Sequence, residues 1–363
     1  MNKEFSYGIG LMSGTSLDGL DIAFVKFEKA NEVWNYELLE TQFVEFPNDL
    51  LSKLQNAREL SALELAILDV DYGSWLGEKT QKFILDRQVK VDFIASHGFT
   101  VFHQPKESLT LQIGSGYEIY AKCMIPVVYD FRRMDVVLGG QGAPLVPIGD
   151  RLLFHQYDFC LNLGGIANVS TEYNGKRIAY DIVPVNQILN HQAKRMGLDF
   201  DPGGKNAASG TVIPALFDRL EKLDFYSLSF PKSLGNEWVE NNILNIELLG
   251  SHSPQNVLAT FCSHISKRIA SDIKKTKTSG IYPQSVLVTG GGSHNAFLIQ
   301  KLTSELGKNF EILLPDKDLI DFKEALIFSF LGLLKLRGNV NCLASVTGAS
   351  QDCSGGIIIN RLS

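Results

Sequence analysis

The chain has 363 residues, of which 45% are apolar and 20% are charged, a composition typical of a folded globular protein and not of a disordered one. This length exceeds the roughly 250 to 300 residues that one hydrophobic core supports, so we expect two lobes. Forty acidic and 34 basic residues leave a formal net charge of -6, which argues against a protein that coats nucleic acid.

The N-terminal residues predict a hairpin with a polar turn. An apolar run leads into the turn Ser13 to Gly19, and a second run with β-strand composition, Asp21 to Phe27, follows it. The glycines here, Gly10, Gly14 and Gly19, suit a backbone that wraps a phosphate. Val33 to Phe46 is also extended in pattern, so we expect three antiparallel strands.

A helix and a buried strand complete this first α/β lobe. Ser61-Ala-Leu-Glu64 is a capping box, which predicts a long helix that extends toward Leu85. Val91 to Ala95 is a short apolar run typical of a parallel strand that is buried on both faces.

A similar order of elements recurs in the second half. Phe159 to Leu163 and Val169 to Tyr173 are strand-like, and the type I′ signal Asn174-Gly175 leads into a further strand, Ile178 to Val183. No residue-by-residue repeat is visible, so the pattern indicates a structural duplication only. The remaining predicted elements are a helix at Asn186 to Met196, an irregular polar stretch from Asp199 to Ser251, a helix from Pro254 to Lys275, a strand from Ser285 to Thr289, a helix after Gly292, and a last helix from about Phe322 to Leu336.

The cellular compartment follows from what the chain lacks. Its first residues have no apolar signal core, and its longest apolar stretch, Ala325 to Leu334, is far shorter than the ~20 residues that span a bilayer. The five cysteines are scattered and form no CxxC pair. We expect a cytoplasmic protein that binds neither a membrane nor nucleic acid.

Three turns that follow apolar strands combine glycine with small polar residues: Ser13 to Gly19, Gly164 to Asn168 and Gly290 to Asn295. Each alone is as well explained by a routine chain reversal as by a binding site. Taken together, two of them could bracket a triphosphate while the third approaches an adenosine with bare backbone. None is a Walker A loop, and none has the GxGxxG spacing of a dinucleotide-binding fold.

Several motifs, in order over nearly the whole chain, resemble those of the anhydro-N-acetylmuramic acid kinases. They are Gly10-Leu-Met-Ser-Gly-Thr-Ser-Leu-Asp-Gly-Leu-Asp21, Ser96-His-Gly98 with Thr100 and His103-Gln-Pro105, Asp130-Phe-Arg-Arg133, Gly139-Gly-Gln-Gly-Ala-Pro-Leu-Val-Pro147, Asn162-Leu-Gly-Gly-Ile-Ala-Asn168 and Ser345-Val-Thr-Gly-Ala349. The resemblance implies an α/β, two-lobed, actin-like ATPase fold, a duplicated ribonuclease H-like fold with a central cleft for ATP and substrate. We expect residues 1–135 with 340–363 to form the N-terminal lobe and 136–339 the C-terminal lobe.

The resemblance also implies an activity. Enzymes of this family are ATP-dependent carbohydrate kinases that open the 1,6-anhydro ring of anhydro-N-acetylmuramic acid with water and phosphorylate O6. The product is N-acetylmuramic acid 6-phosphate, an intermediate of cell-wall recycling. ATP and Mg²⁺ are the implied cofactors, and a homodimer is the implied assembly.

Asp181 matches the catalytic carboxylate of the family, at the end of the third strand of the second lobe, and we assign it as the general base. From the residues alone, a strand-end Asp that caps the following helix is the favoured interpretation, and only the resemblance favours catalysis over it. Arg132 and Arg133 are assigned jointly to the substrate, with a surface salt bridge as the alternative. Glu324 is assigned to the sugar, with a favourable charge on the first turn of a helix as the alternative. The other predicted substrate contacts are His97, Thr100 and Asn186.

The nucleotide side is assigned to the three turns, although their hydroxyl groups could instead satisfy their own backbone. Asp18 is predicted to hold Mg²⁺ through water, and Asp21 is expected to bind the ion or brace the hairpin. The predicted ATP-binding residues are Ser13, Gly14, Thr15, Ser16, Gly19, Gly164, Gly165, Asn168, Gly290, Gly291 and Gly292.

Three departures from the family pattern lie where the sugar is expected. Asp181-Ile-Val-Pro-Val-Asn186 replaces Asp-Thr-Gly-Pro-Gly-Asn, so valines stand at two glycine positions and positive φ is disfavoured there. Phe99 replaces a glutamine, and Ser115-Gly116 replaces Asp-Pro. These changes leave two alternatives open: a kinase for a related anhydro-sugar, or an ATP-binding chaperone or sensor without turnover.

Overall fold

The computed structural model describes residues 5–14, 17–276 and 283–360, and none of the helices in these ranges is long and apolar enough to cross a bilayer. The chain divides into two compact units. The first unit holds the residues up to Leu153 together with those from Phe322 onward, and the second unit is Phe154–Asp321.

The strands of the described residues, numbered in chain order, are β1 Phe5–Met12, β2 Gly19–Ala30, β3 Val33–Glu45, β4 Phe93–Ser96, β5 Phe99–Gln104, β6 Leu109–Ile113, β7 Val127–Tyr129, β8 Phe159–Leu163, β9 Ile166–Tyr173, β10 Lys176–Pro184, β11 Gln284–Thr289, β12 Phe310–Leu313 and β13 Ile357–Ile359. The helices are α1 Asn48–Gln55, α2 Ala62–Arg87, α3 Gly116–Cys123, α4 Arg133–Val137, α5 Val146–Leu153, α6 Asn186–Lys194, α7 Lys205–Ser209, α8 Pro214–Glu221, α9 Asn236–Val239, α10 Leu248–Ser251, α11 Pro254–Lys275, α12 Ala296–Leu306, α13 Lys317–Leu336 and α14 Ala344–Thr347.

The boundaries of the two units differ from those of the predicted lobes. Residues 136–153 and 322–339, which we expected in the C-terminal lobe, belong to the first unit. The reason is close packing of α5 on α13, since a Cβ placed on Gly149 would lie 2.7 Å from a methyl group of Ile327. The glycine-rich segment before α5 has the composition of a linker between domains. The helix that follows it is nevertheless buried within the first unit.

The first unit contains a sheet in the order β13-β7-β4-β1-β2-β3. Strands β1, β2 and β3 form an antiparallel meander, as predicted, and β4 pairs with β1 in parallel. Strand β7 continues the parallel part of the sheet beside β4. Helix α2 begins with the predicted capping box, in which Ser61 Oγ accepts a hydrogen bond from Glu64 N and Glu64 accepts one from Ser61 N.

The second unit repeats this arrangement in the order β10-β9-β8-β11-β12. Strands β8, β9 and β10 form an antiparallel meander, and β11 and then β12 are added in parallel to β8. The turn between β9 and β10 has positive φ at both Asn174 and Gly175, as a type I′ turn requires. The five strands that the two sheets have in common therefore follow the order 3-2-1-4-5 in each unit, with β13 as a sixth strand in the first, and the predicted duplicated, ribonuclease H-like fold class is confirmed.

Glycines in β1 allow helix α13 to lie directly on the sheet. A Cβ on Gly10 would lie 1.8 Å from the carbonyl oxygen of Ala325, and one on Gly8 would lie 2.6 Å from Ser329 Oγ. Real Cβ atoms do not approach other atoms this closely, so these positions require glycine. Gly10 thus has a packing reason to lack a side chain, which the motif did not suggest.

We predicted an irregular stretch from Asp199 to Ser251, and this prediction is wrong. The stretch contains helices α7 to α10. Helix α8 begins with Pro214, whose fixed φ suits a first helical turn, and buries Leu216 and Leu220 completely. Each of these helices has only four to eight residues, so tertiary packing of a few apolar residues decides their formation.

Candidate active site

In the first unit the parallel ends of β1 and β4 bring Ser13 and His97 to one edge of the sheet. Leu11 pairs with Ser96, so the two chains leave the sheet side by side. Ser13 is buried, and its Oγ accepts a 2.7 Å hydrogen bond from the hydroxyl of Tyr72 on α2. Thr15 and Ser16, which we also predicted to bind ATP, lie outside the described residues.

Arg132 is held in place at this edge by two acceptors. Its Nε donates to His97 Nε2 at 3.0 Å, and its Nη1 donates to the carbonyl oxygen of Gly142 at 2.7 Å. The other ring nitrogen of His97 lies 2.9 Å from the carbonyl oxygen of Gly98, so the proton belongs on Nδ1. Burial, together with the charge of Arg132, lowers the pKa of His97 to about 3, and the imidazole is neutral near pH 7.

Glu324 is exposed on α13, and its carboxyl group interacts electrostatically with Arg132. The protein around its carboxylate raises the pKa of Glu324, while the positive charges of Arg132 and Lys323 oppose that shift. Helix α13 begins at Lys317, so Glu324 lies well inside the helix and not in its first turn. The alternative role that we left open for Glu324, a charge on the first helical turn, is therefore wrong.

The two arginines that we assigned jointly have different surroundings. Arg132 is half-buried and fixed by His97 and Gly142, whereas Arg133 is exposed and its charge acts on Asp130. Thr100 is half-buried on β5, where its hydroxyl accepts a 3.3 Å hydrogen bond from Gln112 Nε2. The geometry thus distinguishes the two arginines, since Arg132 is fixed by acceptors of the first unit and Arg133 is exposed.

Asp18 lies at the turn between β1 and β2 and is exposed. Its Oδ1 accepts a 3.0 Å hydrogen bond from Gly19 N, the first residue of β2. Gly19 itself has a packing reason to lack a side chain, since a Cβ there would lie 2.4 Å from the carbonyl oxygen of Val44 on β3. Asp21 pairs with Met12 in the β1–β2 ladder.

In the second unit a row of polar residues crosses the sheet. Asn168 on β9 lies directly opposite both Asn162 on β8 and Asp181 on β10, and Thr289 on β11 is the parallel partner of Asn162. Residues directly opposite each other in a sheet share a face. Asn168, which we predicted to contact ATP, therefore lies beside the predicted base.

Asp181 lies at a β-bulge in β10, where the register with β9 shifts between Asp181 and Val183. Bulges change the direction of a side chain and often occur beside active sites. The Asp181 carboxylate accepts a 2.8 Å hydrogen bond from Leu234 N, and its own N–H donates to the carbonyl oxygen of Lys232 at 3.0 Å. Burial raises the pKa of Asp181, and the Leu234 N–H opposes this in part.

The two glycine turns of the second unit contact each other through Asn186, the first residue of α6. Asn186 Nδ2 donates to the carbonyl oxygen of Leu163 at 3.0 Å, and Asn186 N donates to that of Gly164 at 3.2 Å. A Cβ on Gly292 would lie 2.8 Å from Leu163 Cβ, and one on Gly291 would lie 3.6 Å from Asn186 Nδ2. The parallel pairing of β8 and β11 thus joins the two predicted nucleotide turns.

Comparisons with known proteins decide the family. A family model described as anhydro-N-acetylmuramic acid kinase matches residues 6–361. The chain belongs to this family. It is 34% identical over 376 residues to the anhydro-N-acetylmuramic acid kinase of Actinobacillus pleuropneumoniae serotype 5b, with 96% of this chain and 98% of that relative covered. It is also 34% identical over 396 residues to the Haemophilus influenzae protein of the same name, with 99% and 100% covered.

These relatives confirm the resemblance found in the sequence and, at the level of the family, the prediction of an ATP-dependent carbohydrate kinase. Among solved structures, component A of the (R)-2-hydroxyglutaryl-CoA dehydratase of Acidaminococcus fermentans is similar, with a TM-score of 0.46 at 12% identity. That likeness covers 89% of this chain and 96% of the other. The family assignment rests on the sequence relatives.

Three residues that depart from the pattern of the anhydro-N-acetylmuramic acid kinases are buried in the cores of the two units. Val183 and Val185 are completely buried in the second unit, and Val185 has a negative φ of -122°. The loop therefore avoids positive φ at the two valines, as expected. Phe99 is buried in the core of the first unit.

A carboxylate from another element contacts the backbone beside Ser115. Asp69 on α2 accepts a 2.6 Å hydrogen bond from Gly114 N, and burial raises the pKa of Asp69. A Cβ on Gly116 would lie 2.5 Å from the Tyr129 ring, which leaves no space for the proline of the family pattern.

Sequence reasoning missed three residues that position the predicted site. Tyr72 contacts Ser13, and the segment around Lys232 and Leu234 contacts Asp181, although both lie far from these partners in sequence. Tyr72 looks like an ordinary core residue of a helix, and Lys232 lies in the stretch predicted to be irregular. No local pattern could have identified either contact.

Proposed function

We propose that this protein opens the 1,6-anhydro ring of anhydro-N-acetylmuramic acid with water and transfers the γ-phosphoryl group of ATP to the freed O6. Water adds its hydroxyl group to C1, the C1–O6 bond breaks, and O6 attacks the phosphorus. The products are N-acetylmuramic acid 6-phosphate and ADP. We also place the reaction in the cytoplasm, for which the five free cysteines are favourable.

The environment of Asp181 is the observation that carries this proposal. A general base works best when its pKa lies near the working pH, and burial raises the pKa of Asp181 in that direction. The hydrogen bond from Leu234 N occupies Oδ2 and so orients the carboxylate. Asp181 would remove a proton from the attacking water as that water adds to C1.

Side chains of the first unit are proposed to bind the sugar. Arg132 remains protonated, since burial lowers its pKa only to about 10, and its guanidinium is oriented by His97 and Gly142. A fixed arginine suits the carboxylate of the lactyl group, which it can bind through two parallel hydrogen bonds. Glu324 would accept hydrogen bonds from sugar hydroxyl or amide groups.

The glycine turns are proposed to bind ATP through backbone N–H groups, which can approach phosphates closely where no side chain intervenes. Asp18 is exposed and at a turn, which fits an ion such as Mg²⁺ that keeps most of its waters and takes few carboxylates. When bound, Mg²⁺ would offset the charge of the triphosphate. Asp18 would hold it through water, in line with the prediction.

The reaction can be tested by supplying the purified protein with ATP, Mg²⁺ and 1,6-anhydro-N-acetylmuramic acid in ¹⁸O-labelled water. We expect a 6-phosphate product with ¹⁸O at C1 and none in the phosphoryl group, detected by mass spectrometry after fragmentation. Label in free phosphate, without a sugar phosphate, would mean that the protein hydrolyses ATP only. Binding of ATP without any product would instead support a sensor, and the proposal would be wrong.

A matched substrate sharpens this test. N-acetylmuramic acid already has an open ring and a free O6, so its phosphorylation needs no water attack at C1. If the protein phosphorylates the open sugar faster than the anhydro sugar, ring opening is not part of its function. A panel of 1,6-anhydro sugars without the lactyl group would test the alternative of a related anhydro-sugar kinase.

A further inference from the structure

A short segment of the second unit, Phe230–Leu234, contacts the predicted base from outside its own sheet. The carbonyl oxygen of Lys232 accepts a hydrogen bond from Asp181 N at 3.0 Å, and Leu234 N donates to Asp181 Oδ2 at 2.8 Å. Both hydrogen bonds are made by backbone atoms of the segment. The position of this backbone therefore decides where the Asp181 carboxylate points.

The side chain of Lys232 fastens the segment to helix α11. Its Nζ lies 3.0 Å from Asp272 Oδ2, and the two side chains are only 4% and 9% exposed. The ammonium group also lies 4.9 Å from the centre of the Phe225 ring. The second carboxylate oxygen of Asp272 accepts a hydrogen bond from Lys275, so the carboxylate of the pair is bound on both sides.

The aromatic ring of Phe230 adds a second attachment. It stacks on Tyr180 of β10, with ring centres 5.2 Å apart and planes inclined by 14°. Tyr180 immediately precedes Asp181, so this contact lies beside the bulge. The segment is thus held at its first residue by stacking and at its centre by the ion pair, and it presents Leu234 N to the base.

A buried ion pair is a weak source of stability, because desolvation of both charges offsets most of their attraction. Apolar residues of similar volume would give a similar stability, but they would not require the segment to take one position. Because both groups of the Lys232–Asp272 pair are buried, separating them would leave two uncompensated charges, so the pair restricts where the Lys232 backbone can lie. Catalytic groups need such definition, since a displacement of ~1 Å can cost ~100-fold in rate.

We propose that Lys232 and Asp272 are positioning residues for Asp181, whose buried ion pair holds the Phe230–Leu234 segment against β10 and so orients the catalytic carboxylate. This inference rests on the proposed role of Asp181 as the general base. Neither Lys232 nor Asp272 touches the substrate in this scheme. They act through the two backbone hydrogen bonds of the segment.

The test is the variant Lys232→Met, which keeps the volume and removes the charge. We expect kcat to fall about 10- to 100-fold. The KM for ATP should change by less than about twofold, because the glycine turns are untouched. Loss of the Leu234 hydrogen bond removes a donor to the ionised carboxylate, so the pKa of Asp181 should rise. The acidic limb of the pH profile of kcat/KM should then move up by about half a unit to one unit.

Asp272→Asn provides a second route to the same outcome if Lys232→Met folds poorly. The amide introduced by this substitution can still contact Lys232, so we expect a smaller fall in kcat with the same direction of the pH shift. Arg268→Met is the matched control, since Arg268 lies on the same helix and its ion pair with Glu221 does not involve the segment. It should lower the thermal stability while leaving the pH profile of the enzyme unchanged.

A measurement without turnover separates this inference from the proposed function. In protein labelled with ¹³C at aspartate carboxyl groups, the Asp181 resonance is assigned by its loss in Asp181→Asn and then titrated. A higher Asp181 pKa in Lys232→Met supports the positioning role even if the wild-type protein forms no sugar phosphate. An unchanged Asp181 titration and pH limb in both variants would overturn it, as would an equal shift in Arg268→Met.

Discussion

The two units share one strand order but carry different chemistry at the ends of their parallel strands. In the first unit the edge of β1 and β4 carries fixed side chains, with Arg132 held by the neutral His97 and with Glu324 nearby. In the second unit the edge of β8 and β11 is mostly bare glycine backbone, beside the carboxylate of Asp181. The same scaffold therefore supplies charged side chains in one copy and backbone donors in the other, because function depends on the residues at the strand ends and not on the fold.

The largest effect is expected at Asp181, the predicted base on the second-unit side of this comparison. Asp181→Asn removes the base but keeps an acceptor for Leu234 N, so kcat should fall about 1000-fold while the affinity for ATP is nearly unchanged. Turnover is measured by sugar phosphate formation and ATP affinity by calorimetry. A large loss of ATP affinity would show that Asp181 is instead a structural residue or an ion ligand.

The pH dependence of the wild-type enzyme follows from the same group. The base must be ionised, so activity is lost as the pH falls through the Asp181 pKa, which burial raises. The acidic limb of kcat/KM should thus lie above the ordinary aspartate range and disappear in Asp181→Asn. Because burial disfavours the ionised form, Asp181→Asn should melt no lower than the wild type at pH 7.

An intermediate effect is expected at the arginine pair of the first unit. Arg132→Leu removes a charged donor that the sugar carboxylate would use, so kcat/KM for the sugar should fall by about 30- to 100-fold, or roughly 2 to 3 kcal/mol. Arg133→Leu is the control, since Arg133 is exposed, and it should change kcat/KM by less than about twofold. Equal losses in both variants would remove the distinction drawn between the two arginines.

The smallest effect is expected where the second unit uses backbone. Gly292→Ala places a Cβ 2.8 Å from Leu163 Cβ and 2.9 Å from its carbonyl oxygen, so the two turns must move apart. We expect the KM for ATP to rise about tenfold, in keeping with the usual cost of overpacking. A Cβ on Gly250 meets nothing within 4 Å, so Gly250→Ala is the control. If the KM for the sugar rises instead, the turn contacts the sugar and not ATP, and its assignment to ATP is wrong.

Much of the fold was readable because its signals are local. The capping box at Ser61 and Glu64, the type I′ turn at Asn174-Gly175 and the helix from Pro254 to Lys275 depend on residues close together in sequence, and the structure has them where predicted. Helices α7 to α10 were missed because each has only four to eight residues, too few for a helical period to be recognised. Burial of Leu216 and Leu220 in a core built from distant parts of the chain stabilises α8.

Helix α13 begins at Lys317 and not, as predicted from the local pattern, near Phe322, and this difference changes the interpretation of Glu324. A negative charge near a predicted helix start suggested a stabilising first-turn position for Glu324. The actual helix begins earlier, where Asp316 Oδ1 accepts a hydrogen bond from Leu319 N. The position of Glu324 matters for function, because a residue inside the helix does not stabilise the helix terminus.

By itself, the sequence determined the family, the duplicated α/β order of strands and the identity of the strand-end residues, since motifs and periodicity are properties of neighbouring residues. Only the tertiary structure decided which of these residues meet. Three contacts join residues far apart in the chain: that of Arg132 with His97, which sets Arg132 apart from Arg133, that of the two glycine turns through Asn186, and that of Lys232 and Leu234 with Asp181. Such contacts depend on how strands pair and helices pack, and no local pattern encodes them.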